Sequence, residues 1–481
     1  MSDCNSNLSF TEKELCILRN TIDKAERKRG KKIVNDPNIK KIIDIVEKFL
    51  RDKKLICYGG TAINNILPVH DQFYDKDIEI PDYDFYSTQP IEDAKKLADI
   101  YYKAGFDEVE AKAGVHHGTY KVYVNFIPVA DITFLEKGIF NRIKKDAIHV
   151  NGILYCPPNF LRMNMYLELS RPQGDISRWE KVLKRLILLN KNYPLDISDC
   201  TPSLFQRQFD KNEIETEKNI YNIAKDTFID QDVVFFGGYA SSLYSKYMPK
   251  KVRKLFHKIP DFDVLSMDPK KVSTILKEQL MYYGYKHVSI KKHSSIGEII
   301  NIHYEIIVKT DGIDETIAFI YEPLACHSYN TLKINKKIVK VATIDTMLSY
   351  YFAFYYSDRP YYDCKRILCM SEYLFKVQQK NRLEQKGLLK RFSINCYGKQ
   401  ETLEDMRGEK ATKYKELKDK KDTKEYESWF LRYIPYEEHE NKEKERKSSK
   451  NKTSKKSKKQ SKTKKNKKNA FDKIVDTLRE I

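Results

Sequence analysis

The sequence of 481 residues predicts an α+β fold with two tandem mixed-sheet domains, a helical linker, a helical C-terminal region and a disordered basic tail. The main observation is a repeated pattern, in which a strand-like run ends in Gly-Gly and an Asp-aromatic-Asp triplet follows. The first copy has Gly59-Gly60 and Asp82-Tyr83-Asp84, and the second has Gly237-Gly238 and Asp261-Phe262-Asp263. The intervals from the first glycine to the first aspartate are 23 and 24 residues, which indicates a duplicated domain.

The first copy alternates strands and helices. A helix after the glycines is stopped by Pro68, and the strict alternation of apolar and polar residues after Thr119 is typical of a half-buried strand. In chain order, the predicted elements are a strand over 55–58, a helix over 61–67, a strand through 82–84, a helix over 90–105, and strands over 119–126 and 129–135 joined by a turn at Ile127-Pro128.

The second copy repeats this order. The helix that follows its Asp triplet starts near Pro269 and ends at Gly284, an interval of fifteen residues, as between Pro90 and Gly105. Strands over 299–309 and 316–321 follow, joined by a hairpin turn at Asp311-Gly312. Proline and glycine residues at matching intervals in the two copies support the duplication.

Helical patterns surround the two copies. Thr11 and Glu14 predict a capping box ahead of the first of two N-terminal helices. The predicted segments are an N-terminal helical segment over 1–36, the first domain over 37–155, a helical linker over 156–230, the second domain over 231–340, a C-terminal helical region over 341–436, a disordered Lys-rich tail over 437–469 and a short amphipathic helix over 470–481.

The charge is concentrated near the C-terminus. Of the net charge of +20, residues 441–469 contribute +13 through fifteen Lys or Arg and two Glu. Such a polycation favours a polyanionic partner such as nucleic acid, and it is equally typical of a solubilising or nuclear-import tail.

The nine cysteines form no CxxC pair, so a zinc site is not expected, and they fit unpaired thiols in a reducing compartment. No apolar run approaches membrane-spanning length, and we expect a soluble intracellular protein that does not bind a membrane.

The first copy carries the residues that nucleotidyl transfer needs. Asp82 and Asp84 point to one face of their strand because side chains alternate along it, and Asp131 on the last strand supplies a third carboxylate. Three carboxylates can hold two divalent ions. Gly59 and Gly60 would let backbone N–H groups approach a triphosphate, with Thr61 as a further donor. Each part alone is typical of a tight turn or a solvated strand, and the ordered set favours the functional interpretation.

The order Gly-Gly, Asp-x-Asp and a later lone acid resembles the DNA polymerase β-like nucleotidyltransferase superfamily. Residues 161–172, 177–181, 391–400 and 429–435 narrow the resemblance. They look like the poly(A) polymerase catalytic subunits of large cytoplasmic DNA viruses of the poxvirus, asfarvirus and giant-virus types. The resemblance covers about residues 40–436 and implies two nucleotidyltransferase-like domains, the first active and the second degenerate.

The resemblance implies roles for individual residues. It makes Asp82, Asp84 and Asp131 the catalytic residues and the ligands of Mg²⁺ or Mn²⁺. It places the nucleotide, ATP, against a set that contains Gly59, Gly60, Thr61, Arg162 and Lys181, with Asn164, Arg178 and Arg185 also flanking the cleft for ATP and the RNA 3′ end. The alternative for these basic residues is an ion pair with Glu168 or Glu180 on a helix surface.

The second copy lacks one carboxylate. Aligning residues 129–133 with 317–321 puts Phe319 at the position of Asp131, so we expect a structural role for this domain. If the strand is shifted in register, Glu315 or Glu322 could serve as the third acid.

These features predict a template-independent polynucleotide adenylyltransferase that adds AMP from ATP to mRNA 3′ ends and releases pyrophosphate. The alternatives are another RNA nucleotidyltransferase, which adds uridine or a CCA end, and a non-catalytic RNA-binding scaffold. The resemblance implies the mRNA 3′ end as a partner, together with either a second copy of the chain in a homodimer or a viral methyltransferase-type processivity subunit. It also implies the host cytoplasm, in the viral factory, and the virion as locations.

Overall fold

The computed structural model describes Cys4 and residues 8–197, 200–201, 214–253, 260–310 and 312–437. The described residues up to Tyr433 belong to one compact unit, and residues 434–437 belong to a second. The predicted Lys-rich tail from 438 onward, the terminal helix over 470–481 and Asp311 of the predicted hairpin turn lie outside the described residues.

Helices occupy the segments in which apolar residues recur at helical spacing. They are α1 Phe10–Val34, α2 Pro37–Lys53, α3 Gly59–Ile66, α4 Pro90–Lys103, α5 Lys137–Lys145, α6 Pro158–Leu169, α7 Trp179–Asn192, α8 Ile214–Asp230, α9 Gly237–Tyr244, α10 Lys250–Arg253, α11 Pro269–Tyr282, α12 Ile344–Ser357, α13 Cys364–Lys380, α14 Leu403–Leu417 and α15 Lys424–Phe430. No helix of the described residues is long and apolar enough to cross a membrane.

The strands are β1 Ile56–Cys57, β2 Tyr83–Ser87, β3 Val109–Ala113, β4 Thr119–Val124, β5 Ile127–Phe134, β6 Ile148–Val150, β7 Ile153–Tyr155, β8 Val234–Phe236, β9 Phe262–Leu265, β10 Val288–His293, β11 His303–Thr310, β12 Ile313–Tyr321, β13 His327–Ile334, β14 Lys337–Ala342, β15 Cys396–Tyr397 and β16 Arg432–Tyr433. They form two mixed sheets.

The two sheets confirm the duplication. The first has the order β16-β3-β4-β5-β2-β1-β7-β6, and the second has the order β10-β11-β12-β9-β8-β14-β13-β15. Seven strands correspond one to one, and the central pairs agree in direction: β2 and β5 are parallel, as are β9 and β12. The strand that precedes each Gly-Gly lies antiparallel to the strand that carries the Asp triplet. The glycine turns and the triplets are therefore brought together in both sheets.

Several local predictions are wrong in detail. The capping box of α1 is formed by Ser9 and Glu12, two residues earlier than predicted, because Ser9 has the extended backbone that an N-cap requires. The turn between β4 and β5 lies at Asn125 and Phe126, both with positive φ, and not at Ile127-Pro128.

The C-terminal region is not purely helical. The two-residue strand β15 pairs with β13 of the second sheet, and β16 pairs with β3 of the first. Edge strands of this length carry too little local pattern to be predicted from sequence, because their partners lie far away along the chain.

The expectation of unpaired cysteines is also contradicted. Disulfides join Cys4 to Cys16, Cys200 to Cys369, and Cys326 to Cys396, whereas the thiols of Cys57, Cys156 and Cys364 are free. The last two bridges span 169 and 70 residues of sequence. Spacing along the chain could not reveal them, because the fold brings their partners together.

Candidate active site

Two carboxylates of the predicted triad lie on adjacent parallel strands. Asp84 in β2 is paired in register with Asp131 in β5, and Asp82 comes directly before β2. Tyr83 between the two aspartates is 3% exposed, and its hydroxyl donates a hydrogen bond to Glu47 Oε1 at 2.6 Å. The alternation of side chains thus separates a carboxylate face from a buried face, as predicted.

The three carboxylates are close enough to repel one another. Burial raises the pKa of Asp84 to about 7, and the charges of Asp82 and Asp131 add to this effect. The pKa of Asp82 is also raised, first by burial and then by Asp131. Burial and mutual repulsion both disfavour the ionised form, so a positive charge at this site would be bound favourably.

Lys121 supplies part of that positive charge. It lies opposite Asp131 in the register of β4 and β5, and its ammonium group forms an ion pair with Asp131 Oδ2. Within the described ranges, no three His, Cys, Asp or Glu side chains converge in a way that could hold a metal ion. In this structure the Asp131 carboxylate is engaged by the lysine. Lys121 was missed in the sequence, although its place opposite Asp131 follows from strand alternation once the pairing is known.

The glycine turn touches the carboxylates. Gly59 begins α3 with a φ of +73°, and a Cβ atom at this position would overlap the Asp84 carboxylate. A Cβ atom on Gly60 would contact the Tyr74 hydroxyl and the guanidinium of Arg185. Both glycines therefore let the amino end of α3 approach Asp84 on one side and Arg185 on the other.

The hydroxyl of Thr61 has a positioning contact. It donates a hydrogen bond to the carbonyl oxygen of Asp82 at 2.5 Å, and the residue is only 4% exposed. The hydroxyl therefore holds the segment that carries Asp82 against α3. That Thr61 is a further donor to a phosphate, through its backbone N–H in the first turn of α3, stays a prediction.

The turn before α7 and one face of α7 form a basic surface beside the carboxylates. Arg178, Lys181 and Arg185 recur at helical spacing, and Lys181 is exposed. Arg178 lies near enough to Asp84 to offset part of the rise in the pKa of that carboxyl. Its Nε also forms an ion pair with Glu168 Oε1 at 3.1 Å, which is the alternative role considered for these basic residues. Arg185 donates to the Tyr74 hydroxyl at 2.6 Å beside Gly60. Arg178 thus lies near the Asp84 carboxylate, and Arg185 lies beside the glycine turn.

Arg162 is placed elsewhere. It is 2% exposed, and its guanidinium donates to Asn190 Oδ1 at 2.7 Å and to Asn159 Oδ1 at 2.6 Å. The bond to Asn190 joins α6 to α7, and the bond to Asn159 lies within α6. Such burial of Arg162 leaves no surface for a nucleotide. We therefore assign Arg162 a packing role in place of the predicted nucleotide contact. Asn164 of the same helix faces the Tyr86 hydroxyl at 3.5 Å.

The second copy has a different set of charges at the equivalent position. Phe319 is paired in register with Asp263, as Asp131 is with Asp84, so the predicted replacement of the third acid is confirmed. Neither Glu315 nor Glu322 occupies this position. Arg366 of α13 forms an ion pair with Asp261 at 3.0 Å. This arginine lies outside both repeats and was not predicted.

Comparisons with known proteins agree with this geometry. The sequence model of the poly(A) polymerase catalytic subunit family matches residues 44–175, which include both glycines and all three carboxylates. The predicted resemblance is therefore confirmed over that segment.

Two curated relatives match a similar part of the chain. A candidate poly(A) polymerase catalytic subunit of Acanthamoeba polyphaga mimivirus is 34% identical over 162 residues, which are 33% of this chain and 27% of the relative. The corresponding protein of African swine fever virus, strain Badajoz 1971 Vero-adapted, is 32% identical over 173 residues, or 35% and 36% of the two chains. The matches thus span about a third or less of these relatives.

The fold likeness extends much further. The crystal structure of the Megavirus polyadenylate synthase superposes with a TM-score of 0.74, covering 92% of this chain and 91% of that one, at 21% identity. The chain therefore has the α+β fold of that protein, including both mixed sheets.

Proposed function

We propose that the protein is a template-independent polynucleotide adenylyltransferase that adds AMP from ATP to RNA 3′ ends. The observation that carries this proposal is the set of Asp82, Asp84 and Asp131 on neighbouring strands, against the positive-φ turn at Gly59. The family match over residues 44–175 and the likeness in fold support it.

The carboxylates fit a divalent cation such as Mg²⁺ or Mn²⁺. Oxygen ligands suit these ions, and the raised pKa values of Asp82 and Asp84 reflect a cluster of negative charge that a cation would relieve. Asp82, Asp84 and Asp131 would hold the ions, with Lys121 released from Asp131. When bound, the ions lower the charge on the reacting phosphate and activate the attacking hydroxyl.

The remaining groups suit a triphosphate. The N–H groups at the start of α3 carry a partial positive charge, and Arg185 adds a full one beside Gly60. Arg178 and Lys181 continue this positive surface toward Asp84. We infer that these residues bind the phosphates of ATP and orient them toward the carboxylates.

The proposal is tested by incubating the protein with a short RNA and each nucleoside triphosphate separately, with Mg²⁺ or Mn²⁺. We expect extension with ATP, and loss of extension in Asp82→Ala and Asp131→Ala. Asp261→Ala is the matched control in the second copy and should not abolish RNA extension. Equal loss in all three variants would contradict a single active copy.

The same experiment separates the alternatives. Extension with UTP, or addition limited to a CCA end, would identify another RNA nucleotidyltransferase, and RNA binding with no extension would identify a scaffold.

As further parts of the proposal, the RNA is an mRNA 3′ end and the site of action is the viral factory in the host cytoplasm, with packaging in the virion. Sedimentation of the protein with and without a viral methyltransferase-type subunit distinguishes a homodimer from an assembly with that subunit.

A further inference from the structure

The second sheet contains a cavity at the position that corresponds to the candidate active site. Its volume is about 350 Å³, and Gly237, Asp263, Phe319, Tyr361 and Arg366 contribute to its walls. Cavities that bind small organic ligands range upward from about 300 Å³. The cavity is therefore large enough for one small ring system.

The positive charge in this cavity is the guanidinium group of Arg366. Arg366 pairs with Asp261 at 3.0 Å, and Asp263 also stabilises its charge. Asp363 is a third carboxylate in the wall, so the charged lining residues have an excess of negative charge. The negative charge would repel a phosphate group. A neutral ligand, in contrast, can donate N–H hydrogen bonds to the carboxylates.

The part of the wall that contains Phe319 and Tyr361 is aromatic and held in place. Phe319 and Tyr361 are half-buried, and their rings stack with centroids 5.5 Å apart. The Tyr361 hydroxyl lies 3.2 Å from His303 Nε2, and the Tyr362 hydroxyl lies 2.9 Å from that of Tyr321. Aromatic faces that are fixed in this way lose little freedom when a flat ligand stacks on them.

We propose that this cavity is a metal-independent binding site for a nucleobase with an exocyclic amino group, adenine above all. The base stacks on the wall formed by Phe319 and Tyr361, and its amino group donates to the carboxylates of Asp261 and Asp263. The source of the base is either a free nucleoside or a nucleotide of single-stranded RNA. The replacement of Asp131 by Phe319 in the second copy thus exchanges a carboxylate for a stacking surface. This site goes beyond the proposed adenylyl transfer and does not depend on it.

The test uses the full chain in the presence of EDTA, with adenosine titrated by calorimetry. We expect saturable binding at one site per chain, and Phe319→Ala should weaken it by at least about tenfold, since stacking on one aromatic ring has this magnitude. Phe319→Tyr keeps a ring at the position and should bind adenosine within about threefold of the original protein. Asp82→Ala, which changes the first copy, should bind adenosine normally. Thermal unfolding of each variant shows whether it is folded.

Two further ligands test the role of the amino group and the source of the base. Purine riboside lacks the amino group of adenosine and should bind at least about fivefold more weakly, because the hydrogen bonds from that group to the two carboxylates are lost. A five-residue oligoadenylate that competes with adenosine at the Phe319-dependent site identifies RNA as the source, and one that does not compete identifies the free nucleoside.

The proposal is overturned if the folded protein shows no saturable adenosine binding in EDTA. It is also overturned if folded Phe319→Ala binds adenosine as well as the original protein, or if Asp82→Ala abolishes the binding. Equal affinity for purine riboside would refute the contact between the amino group and the carboxylates.

Discussion

Substitution of Gly59 by alanine probes the contact between the glycine turn and the carboxylates. Gly59 has a φ of +73°, and the added methyl group would overlap the Oδ2 atom of Asp84 and lie 3.2 Å from its Cγ. The substitution therefore strains the backbone and displaces a carboxylate at the same time.

The two effects have separate magnitudes. A non-glycine residue in the left-handed region is destabilised by about 1–2 kcal/mol. Inserting a methyl group where there is no space adds about 1–3 kcal/mol. We expect Gly59→Ala to lose about 2–5 kcal/mol of unfolding free energy. A shift of a catalytic group by about 1 Å lowers the rate on the order of 100-fold, and we expect such a loss of RNA extension with ATP.

Two other glycines provide matched controls. Gly105 has a φ of +93° with nothing within 4 Å of an added Cβ, so Gly105→Ala carries the backbone strain alone. Gly237 has a φ of +64°, and its added Cβ would overlap Asp263 in the second copy. Gly105→Ala should lose about 1–2 kcal/mol, and Gly237→Ala about as much as Gly59→Ala, with RNA extension retained in both.

The assay combines urea unfolding with initial rates of RNA extension at a temperature where all variants are folded. A folded Gly59→Ala protein that extends RNA within a few-fold of the original rate would refute the reasoning. So would a loss of extension in Gly237→Ala as large as in Gly59→Ala.

Three other predictions follow from individual contacts. Arg185→Ala should raise the KM for ATP by about tenfold or more, because a charge-assisted hydrogen bond to phosphate is lost. The control Lys184→Ala, on the exposed side of the same helix, should change the KM by less than about twofold. Arg162→Met should reduce the unfolding free energy by about 1–3 kcal/mol, since two half-buried asparagine oxygens lose their donor, with an unchanged KM for ATP. Burial lowers the pKa of His303 to about 4, so the unfolded chain takes up a proton below about pH 6.5 that the folded protein does not. Stability should therefore fall as the pH drops from 6.5 to 4, by about 1.4 kcal/mol per unit from this residue, and urea unfolding of His303→Gln should show a correspondingly shallower slope.

Much of the fold was predictable because its signals are local. The period-two alternation around Asp82 and Asp84 predicted which face of the strand carries the carboxylates, and the spacing of the two patterns predicted the duplicated sheet. The register that puts Phe319 opposite Asp263 also followed from aligning the two copies. Short edge strands and the exact turn positions were not predictable, since neighbouring strands decide them.

The candidate site was predictable only in part. The sequence could name Arg162 and Lys181 as basic residues on helices, but not which of them is buried. It placed Thr61 beside the phosphate turn, yet the partner of its hydroxyl is the carbonyl of Asp82, 21 residues away. Periodicity describes the face of an element, whereas the partner of that face depends on how elements pack.

The order of residues is sufficient to show that this protein has one complete set of carboxylates and one incomplete set, because composition and strand parity are properties of the chain alone. The groups that lie beside each set depend on tertiary packing. It placed Lys121 on Asp131 in the first copy, and Arg366 on Asp261 together with an aromatic cavity in the second. Arg366 comes from a helix more than 100 residues beyond Asp261, and contacts at such a separation are set by packing and leave no local pattern in the sequence.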